Sequence, residues 1–312
     1  MILVTGGTGF IGKALIRHLV ENDHSVRLLI QPSRQSPDLP RGTSVEVAVS
    51  SLSDERSLRA AMSGIQTVYH LASMEWSGLR ARLLEVDVQG TQAVLKAAAD
   101  AGVQRVFFIS HLGADRASAF PLLKAKAIAE EHIRRSGIDY TILRSSIVFG
   151  KNDHFVSGLA RLLNVLPLIF LVPGDGNTLL QPIWVEDLVT CLVWALDDDQ
   201  TRNQTFLVGG PEFLTFNSIL KTVMDTIGVQ RRPVYADLPY IKALTAFLEP
   251  VFPGMPTTVF WLDYLAANHT CSLDTLPRSF NLLPSRFSHR LDYLKNQKWG
   301  KSLLQEMLRR RR

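Results

Sequence analysis

The sequence predicts an α/β protein built on a doubly wound parallel sheet, with a smaller α/β lobe in the C-terminal half. Three observations support this fold class. Short runs rich in β-branched residues alternate with stretches at helical spacing through the first half of the chain. A glycine-rich turn joins the first run to the first helical stretch. After Gly150 the alternation gives way to segments punctuated by proline and glycine.

Six strands are predicted in the first half, in the order expected of βαβ units. They cover Ile2 to Thr5, Ser25 to Ile30, Ser44 to Val49, Thr67 to Leu71, Arg105 to Ser110 and Tyr140 to Leu143. Between them apolar residues recur three or four positions apart, as on the buried face of a helix. Parallel strands joined by such helices form a doubly wound sheet.

The second half contains fewer regular elements. Strand-like pieces are predicted at Gln181 to Val185 and Thr205 to Val208, and helices at Asp187 to Leu196 and Phe216 to Ile227. The pattern therefore predicts a sheet domain over residues 1–150, to which residues 178–208 also contribute. A smaller lobe is predicted over residues 151–312.

Composition and charge exclude several classes of protein. The chain has 312 residues, of which 46% are hydrophobic and 20% charged, and this excludes collagenous, low-complexity and wholly disordered chains. Of the net charge of +5, four positive charges are Arg309 to Arg312, so the rest of the chain carries only +1. We therefore expect no nucleic-acid partner.

The sequence also bears on location and metals. The longest uncharged apolar stretches, Leu162 to Gly174 and Val251 to Leu262, are well short of the about 20 residues that cross a bilayer. The chain opens directly on its first strand, without the features of a signal peptide. Cys191 and Cys271 have no CxxC spacing or ligand cluster, so both are interpreted as core residues and no metal site is expected. We predict a cytoplasmic protein.

The glycine-rich turn carries the strongest functional signal. Glycines at positions 6, 9 and 12 stand between an apolar strand and an amphipathic helix. In this context Gly6 allows a tight turn, Gly9 lets the backbone approach a pyrophosphate, and Gly12 permits close packing of the helix. The free N–H groups at the start of the helix then face the phosphates. The sequence therefore predicts a Rossmann dinucleotide-binding site.

The end of the second strand bears on the choice of cofactor. A site that prefers NAD usually has an acidic residue there to hold the ribose, and this chain has none. Gln31 offers a hydrogen bond to a ribose, whereas Arg34 offers a charge for a 2′-phosphate. We therefore expect NADP in preference to NAD, although Arg34 as a solvated loop charge remains an alternative.

Six segments resemble the extended and atypical branch of the short-chain dehydrogenase/reductase superfamily. They are TGGTGFIG at 5–12, VYHLA at 68–72, VDVQGT at 86–91, LRSSIVFG at 143–150, QPIWVEDL at 181–188 and VGGPE at 208–212. Within that branch the chain is similar to the group often labelled NAD-dependent epimerase/dehydratase. This group contains the dinucleotide-binding accessory subunit of respiratory complex I.

The resemblance implies which residues contact the cofactor. They are Gly6, Thr8, Gly9, Phe10, Ile11, Gly12, Gln31, Arg34, Ser51, Leu52, Leu71, Ala72, Ser73 and Lys126. Ser51 stands where the family has an adenine-binding Asp, and Asp54 is expected to cap the following helix.

The chain departs from the family at the catalytic residues. Redox members use a Tyr four residues before a Lys, and the best alignment places Lys126 on the Lys and Leu122 on the Tyr. The alternative register places Lys124 and Phe120 there, which also lacks the phenol. Neither Leu122 nor Phe120 can transfer a proton.

The family serine is also displaced. It usually lies one or two residues beyond Ser110, where this chain has His111 and Leu112. The predicted catalytic set is therefore Lys126, Ser110 and His111, with His111 as a substitute acid or base because imidazole titrates near neutral pH. A polar loop residue at a strand end is the alternative interpretation of His111.

The sequence is compatible with two functions. The first is an NAD(P)-dependent oxidoreductase or epimerase that acts on an apolar carbonyl or alcohol with a replaced proton donor. The second is a non-catalytic cofactor-binding sensor or accessory protein. Residues 156–173 and 243–265 are strongly apolar, and we expect them to bind an apolar substrate, a protein partner or a membrane surface, with Arg309 to Arg312 as a contact for anionic lipid.

Overall fold

Seven parallel strands form the central sheet in the part of the chain that the structure describes, six from the first half and one from the second half. A computed structural model describes residues 1–33, 42, 44–166, 168–251, 257–295 and 297. The strands of the sheet are β1 (Ile2–Thr5), β2 (Val26–Ile30), β3 (Glu46–Val49), β4 (Thr67–His70), β5 (Arg105–His111), β6 (Asp139–Ser145) and β11 (Gln204–Val208). Their order across the sheet is β11-β6-β5-β4-β1-β2-β3.

The chain reverses direction across the sheet next to β1. From β1 it builds outward to β2 and β3, then returns to place β4, β5, β6 and β11 on the other side. This is the doubly wound topology that the sequence predicts, and it leaves a crevice at the carboxyl ends of β1 and β4. The fold class is confirmed.

The remaining strands among the described residues form three small two-stranded sheets. Their members are β7 (Val148–Phe149), β8 (Ile169–Pro173), β9 (Leu179–Leu180), β10 (Ile183–Trp184), β12 (Leu214–Thr215) and β13 (Arg232–Ala236). They pair as β7 with β10, β9 with β12 and β8 with β13. The strand predicted at Gln181 to Val185 is therefore shorter than expected, and it lies outside the central sheet.

Helices cover both faces of the central sheet. They are α1 (Phe10–Glu21), α2 (Glu55–Ala61), α3 (Gly90–Asp100), α4 (Pro121–Arg134), α5 (Val156–Val165), α6 (Val185–Asp197), α7 (Phe216–Ile227), α8 (Leu238–Val251), α9 (Val259–Tyr264) and α10 (Thr275–Phe280). One face packs on α1 and α6 and the other on α2, α3 and α4. A separate apolar core joins α5, α7 and α9 in the second half of the chain.

Several local predictions can be compared with the structure. Asp54 caps α2, because its carboxylate accepts hydrogen bonds from the N–H groups of Arg56 and Ser57 at 3.1 Å each. Cys191 is buried as predicted, whereas Cys271 is only partly buried.

No helix in the described ranges has the length and apolar character needed to span a membrane. Arg34 and Arg309 to Arg312 lie outside the described residues.

Candidate functional site

The glycine turn has the geometry of a phosphate cradle. Gly6 has a φ of +69°, which a side chain rarely adopts, and it starts the turn that follows β1. Gly9 immediately precedes α1, whose first turn has neither a capping side chain nor an acidic residue. A Cβ on Gly12 would clash with the Gly6 carbonyl and the Gly7 backbone, so Gly12 lets α1 pack on the turn itself. The residues present therefore fit a dinucleotide pyrophosphate.

The structure brings most predicted cofactor residues to one edge of the sheet. Gln31 is exposed just beyond β2, and Ser51 follows β3. Leu71, Ala72 and Ser73 follow β4. Because the strands are parallel, their carboxyl ends line the crevice next to the glycine turn. The predicted residues thus surround a single cleft, although their contacts with a cofactor remain proposals.

Two of these side chains are already engaged within the protein. The Ser51 hydroxyl lies 2.8 Å from the Ser53 hydroxyl and accepts a hydrogen bond from the Ser53 N–H. The Leu52 side chain is buried in the core beneath α3, against Gly90. Any contact of Leu52 with a cofactor is therefore restricted to its backbone.

A buried histidine joins the glycine turn to the end of β4. His70 Nδ1 lies 2.7 Å from Thr5 Oγ1, and its Nε2 lies 2.9 Å from the hydroxyl of Thr91. Thr5 Oγ1 also accepts hydrogen bonds from the N–H groups of Leu71 and Ala72. This network fixes the floor of the crevice.

The network predicts acid sensitivity of the fold. Burial, together with the charge of Lys126, lowers the pKa of His70 from 6.5 to about 3. Between these values the unfolded chain binds a proton that the folded chain excludes, so His70 lowers stability as pH falls below about 6.5. We expect a loss of about 1.4 kcal/mol of unfolding free energy per pH unit in this window.

Urea unfolding of the unmodified chain and of His70→Gln at pH 7.5 and 5.5 measures this contribution. The unmodified chain should lose about 1.4 kcal/mol more than the variant between the two pH values. Equal losses in both proteins would show that His70 is not the group responsible.

Lys126 is buried behind the segment that follows β4. Its side chain is 4% exposed, and its Nζ lies 3.4 Å from Asp87 Oδ1. Asp87 Oδ2 in turn accepts a hydrogen bond from the Met74 N–H at 3.1 Å. Asp87 thus supplies the counter-charge that a buried ammonium group requires. The predicted hydrogen bond from Lys126 to a nicotinamide ribose remains a proposal.

His111 lies at the carboxyl end of β5 and is held by a carboxylate. Its Nε2 lies 2.9 Å from Glu75 Oε2, and the two side chains are 11% and 20% exposed. Burial alone would raise the pKa of Glu75, but the charge and hydrogen bond of His111 outweigh it and lower that pKa to about 2. The carboxylate is therefore ionised at any physiological pH.

Ser110 requires a correction. Its strand partner is Arg144, whose guanidinium contacts Glu130 on α4, so Ser110 shares that face of the sheet. His111 pairs with Ser145, and both line a cavity on the opposite face. Side chains alternate along a strand, so Ser110 and His111 cannot both face the same site. We therefore withdraw Ser110 from the proposed proton-transfer set.

The cavity beside His111 is narrow and largely apolar. Its volume is about 60 Å³, and Leu122, at the position of the family Tyr, is part of its wall. Other apolar walls come from Phe10, Ile109, Ile147, Phe155 and Phe260. Of the two apolar segments singled out in the sequence, residues 243–265 contribute Phe260, Trp261 and Tyr264 to this cavity, whereas none of the described residues of 156–173 lines it.

Glu75, in the 3₁₀ turn Glu75–Arg80, lies on the wall of this cavity and was not predicted from the sequence. Trp261 and Tyr264 on α9 also line it; they belong to the apolar segment 243–265, in which neither had an individual role. Tyr264 stacks on His269 with ring centres 3.8 Å apart, and burial raises the pKa of its hydroxyl well above 10. Tyr264 therefore keeps its proton and does not replace the family Tyr as an acid. No motif marks Glu75, so only its spatial proximity to His111 reveals it.

Comparison with protein families agrees with this site. Residues 6–154 match the family described as NAD(P)H-binding, and residues 123–209 match the NAD dependent epimerase/dehydratase family. The chain belongs to this NAD(P)-binding epimerase/dehydratase family. The resemblance inferred from the sequence is confirmed.

Among curated proteins, the chain is 30% identical over 287 residues to mitochondrial NADH dehydrogenase [ubiquinone] 1 alpha subcomplex subunit 9 of Arabidopsis thaliana. That match covers 86% of this chain and 70% of the relative. The match to the mouse protein of the same name covers only 58% of that relative. Photosystem II assembly factor Ycf39 of Cyanophora paradoxa is 29% identical over 46% of this chain and 44% of its own length.

Among solved structures, the NADPH-dependent quinone oxidoreductase of Escherichia coli complexed with NADPH has a similar fold. The TM-score is 0.75 at 18% identity, over 94% of this chain and 99% of that protein. At this identity the comparison concerns the fold alone.

Proposed function

We propose that the protein binds NADP(H) in the crevice above β1 and β4 and uses it to interconvert an apolar carbonyl compound and its alcohol. NAD(H) is the less favoured cofactor. The observation that carries the proposal is the pair of His111 and Glu75 on the wall of an apolar cavity that also includes Phe10, the first residue of α1. The glycine turn and the proton-carrying side chain thus border one site.

The protein would bind the cofactor through backbone groups. The uncapped first turn of α1 provides N–H donors for the pyrophosphate, and Gly9 leaves space for its approach. Gln31 and Arg34 are the candidates for the adenosine ribose and its 2′-phosphate. Lys126 is the candidate for the nicotinamide ribose.

His111 would provide the proton in place of the missing Tyr. Carbonyl reduction consumes one hydride and one proton, and the reduced cofactor supplies the hydride while becoming oxidised. His111 would donate the proton to the substrate oxygen and regain it from solvent. Glu75 would hold the ring in place, because its carboxylate oxygen lies 2.9 Å from His111 Nε2. Leu122 and its apolar neighbours exclude water from the reacting carbon.

A panel of apolar ketones and aldehydes with NADPH and NADH, followed at the nicotinamide absorbance, tests the proposal. We expect turnover of at least part of the panel, faster with NADPH. Turnover should vanish in Lys126→Ala if that residue holds the ribose. An inactive panel with intact cofactor binding would instead support the second candidate.

The second candidate is a non-catalytic accessory or assembly protein that binds NAD(P)H. An exposed apolar stripe on α8 favours it: Tyr240, Leu244 and Phe247 are 73%, 45% and 72% exposed and lie on one side of the helix. Leu122 in place of the Tyr and the small cavity also suit a protein without turnover. The names of the plant and algal relatives, a subunit and an assembly factor, agree with this candidate.

The location and the partner remain proposals. We continue to propose the cytoplasm, while noting that the Arabidopsis relative is named as a mitochondrial protein. The α8 stripe is the surface that we propose for a protein partner. Peripheral contact with an anionic membrane through Arg309 to Arg312 is the alternative, and nucleic acid is not proposed.

A further inference from the structure

We propose that Glu75, His111 and Trp261 form a subsite that binds a single oxygen atom of the ligand at the wall of the apolar cavity. This inference rests on the proposed function for the position of the ligand beside the cofactor. It adds the groups that would orient that ligand and distinguish it from a hydrocarbon of the same shape.

His111 offers one unused polar atom. Its Nε2 bonds with Glu75, whereas its Nδ1 is buried and has no hydrogen-bond partner among the described residues. The whole residue is only 8% exposed. A buried polar atom without a partner is destabilising, so a ligand that supplies the partner gains affinity.

Trp261 offers a second unused polar atom on the same cavity. Its indole Nε1 is buried and without a partner in the part of the chain that the structure describes. The ring is held by Phe155 and Phe216, whose ring centres lie 5.1 and 5.8 Å away. An indole N–H can only donate, so its natural partner is an oxygen that accepts.

His111 Nδ1 and Trp261 Nε1 together define the chemistry of the ligand. Glu75 accepts from Nε2–H, so a neutral His111 presents Nδ1 as an acceptor and a protonated His111 presents it as a donor. The neutral ring therefore suits an alcohol, and the imidazolium suits a ketone. The remaining walls are mainly apolar, so the ligand should be a compact apolar body with one carbonyl or hydroxyl oxygen.

The subsite predicts a measurable role for Glu75. Its carboxylate holds the His111 ring through Nε2 at 2.9 Å, which leaves Nδ1 for the ligand. Glu75→Gln should therefore weaken the preference for a ketone over a hydrocarbon of the same shape.

The test uses two probes of matched shape. Cyclohexanone and methylenecyclohexane differ by an oxygen in place of a CH₂ group, and their dissociation constants can be measured by NMR chemical-shift titration of the full chain saturated with NADP⁺. We expect cyclohexanone to bind roughly 10- to 100-fold more tightly, as one or two recovered hydrogen bonds imply. His111→Phe and Trp261→Phe should each reduce this preference by roughly 5-fold or more.

The chain contains a matched control for Glu75→Gln. His18 and Glu186 form a second pair, with Nε2 and Oε2 2.8 Å apart, and neither residue is on the cavity wall. Glu186→Gln should therefore leave the ketone preference unchanged. An equivalent loss of preference in Glu186→Gln would show that the effect of Glu75 is not local.

Three results would overturn the proposal: equal affinity for the two probes, no binding of either probe, or a preference that survives both His111→Phe and Trp261→Phe. Failure of the proposed function would give a different experimental result. If NADP⁺ does not bind and cyclohexanone is still preferred in the free protein, the reductase proposal fails and the oxygen subsite stands.

Discussion

Replacing His111 with phenylalanine is expected to lower the turnover of an apolar carbonyl substrate by a factor of roughly 10²–10⁴. The phenyl ring keeps the bulk and the contact with the cavity but cannot carry a proton. Cofactor affinity should change little, because the proposed pyrophosphate contacts come from backbone N–H groups at the start of α1, whereas His111 is the last residue of β5. Steady-state rates with NADPH, together with the dissociation constant of NADPH, measure both quantities.

Ser110→Ala is the matched control for this experiment. Ser110 is the adjacent residue on the same strand, but it faces α4 and not the cavity. We expect Ser110→Ala to retain most of the turnover. A large loss in this variant, or normal turnover in His111→Phe, would contradict the assignment of the proton to His111.

Replacing Gly6 with alanine is expected to weaken NADP(H) binding by roughly 10-fold or more. A Cβ at this position would lie 2.6 Å from the carbonyl carbon of Leu71 and 2.7 Å from the nitrogen of Ala72, which are both backbone atoms. The turn and the end of β4 would have to separate. Their displacement would alter the phosphate cradle and the neighbouring wall of the crevice together.

Gly64→Ala is the control for Gly6→Ala. It separates the loss of cofactor affinity from the effect of a left-handed backbone conformation on stability. Gly64 has a φ of +73°, close to the +69° of Gly6, but a Cβ there would meet no atom within 4 Å. Both substitutions should lower stability by about 1 kcal/mol through the left-handed conformation. Only Gly6→Ala should lose cofactor affinity, and equal affinities in the two variants would contradict the role of the turn.

The nucleotide-binding half of the fold was predictable because the sequence patterns that identify it each lie within a short stretch of the chain. Strand and helix periodicity and the placement of glycines 6, 9 and 12 identify a dinucleotide-binding sheet. The seventh strand was predicted at Thr205 to Val208, within the stretch expected to contribute to the sheet domain, but its neighbour in the sheet was not predicted. Its pairing with β6 joins segments about 60 residues apart, and no local pattern records such a contact.

The candidate site was less predictable, for two physical reasons. Ser110 and His111 were both proposed, although the alternation of side chains along β5 allows only one of them to face the cavity. Glu75 could not be identified because it lies in a segment without a motif, and Trp261 was included only as part of the apolar segment 243–265. Tertiary packing alone places both on the same cavity as His111. Because Leu122 stands at the position of the family Tyr, the sequence indicated that another residue would have to supply the proton. It did not indicate that the carboxylate of Glu75 holds that residue, His111.

Calorimetric titration of the unmodified protein with NADPH and with NADH tests the central claim most directly. We predict saturable binding of both cofactors at a shared site, with NADPH the tighter ligand, and loss of this binding in Gly9→Asp, which places a negative side chain at the start of α1. The absence of saturable binding of either cofactor to the unmodified protein would contradict the claim.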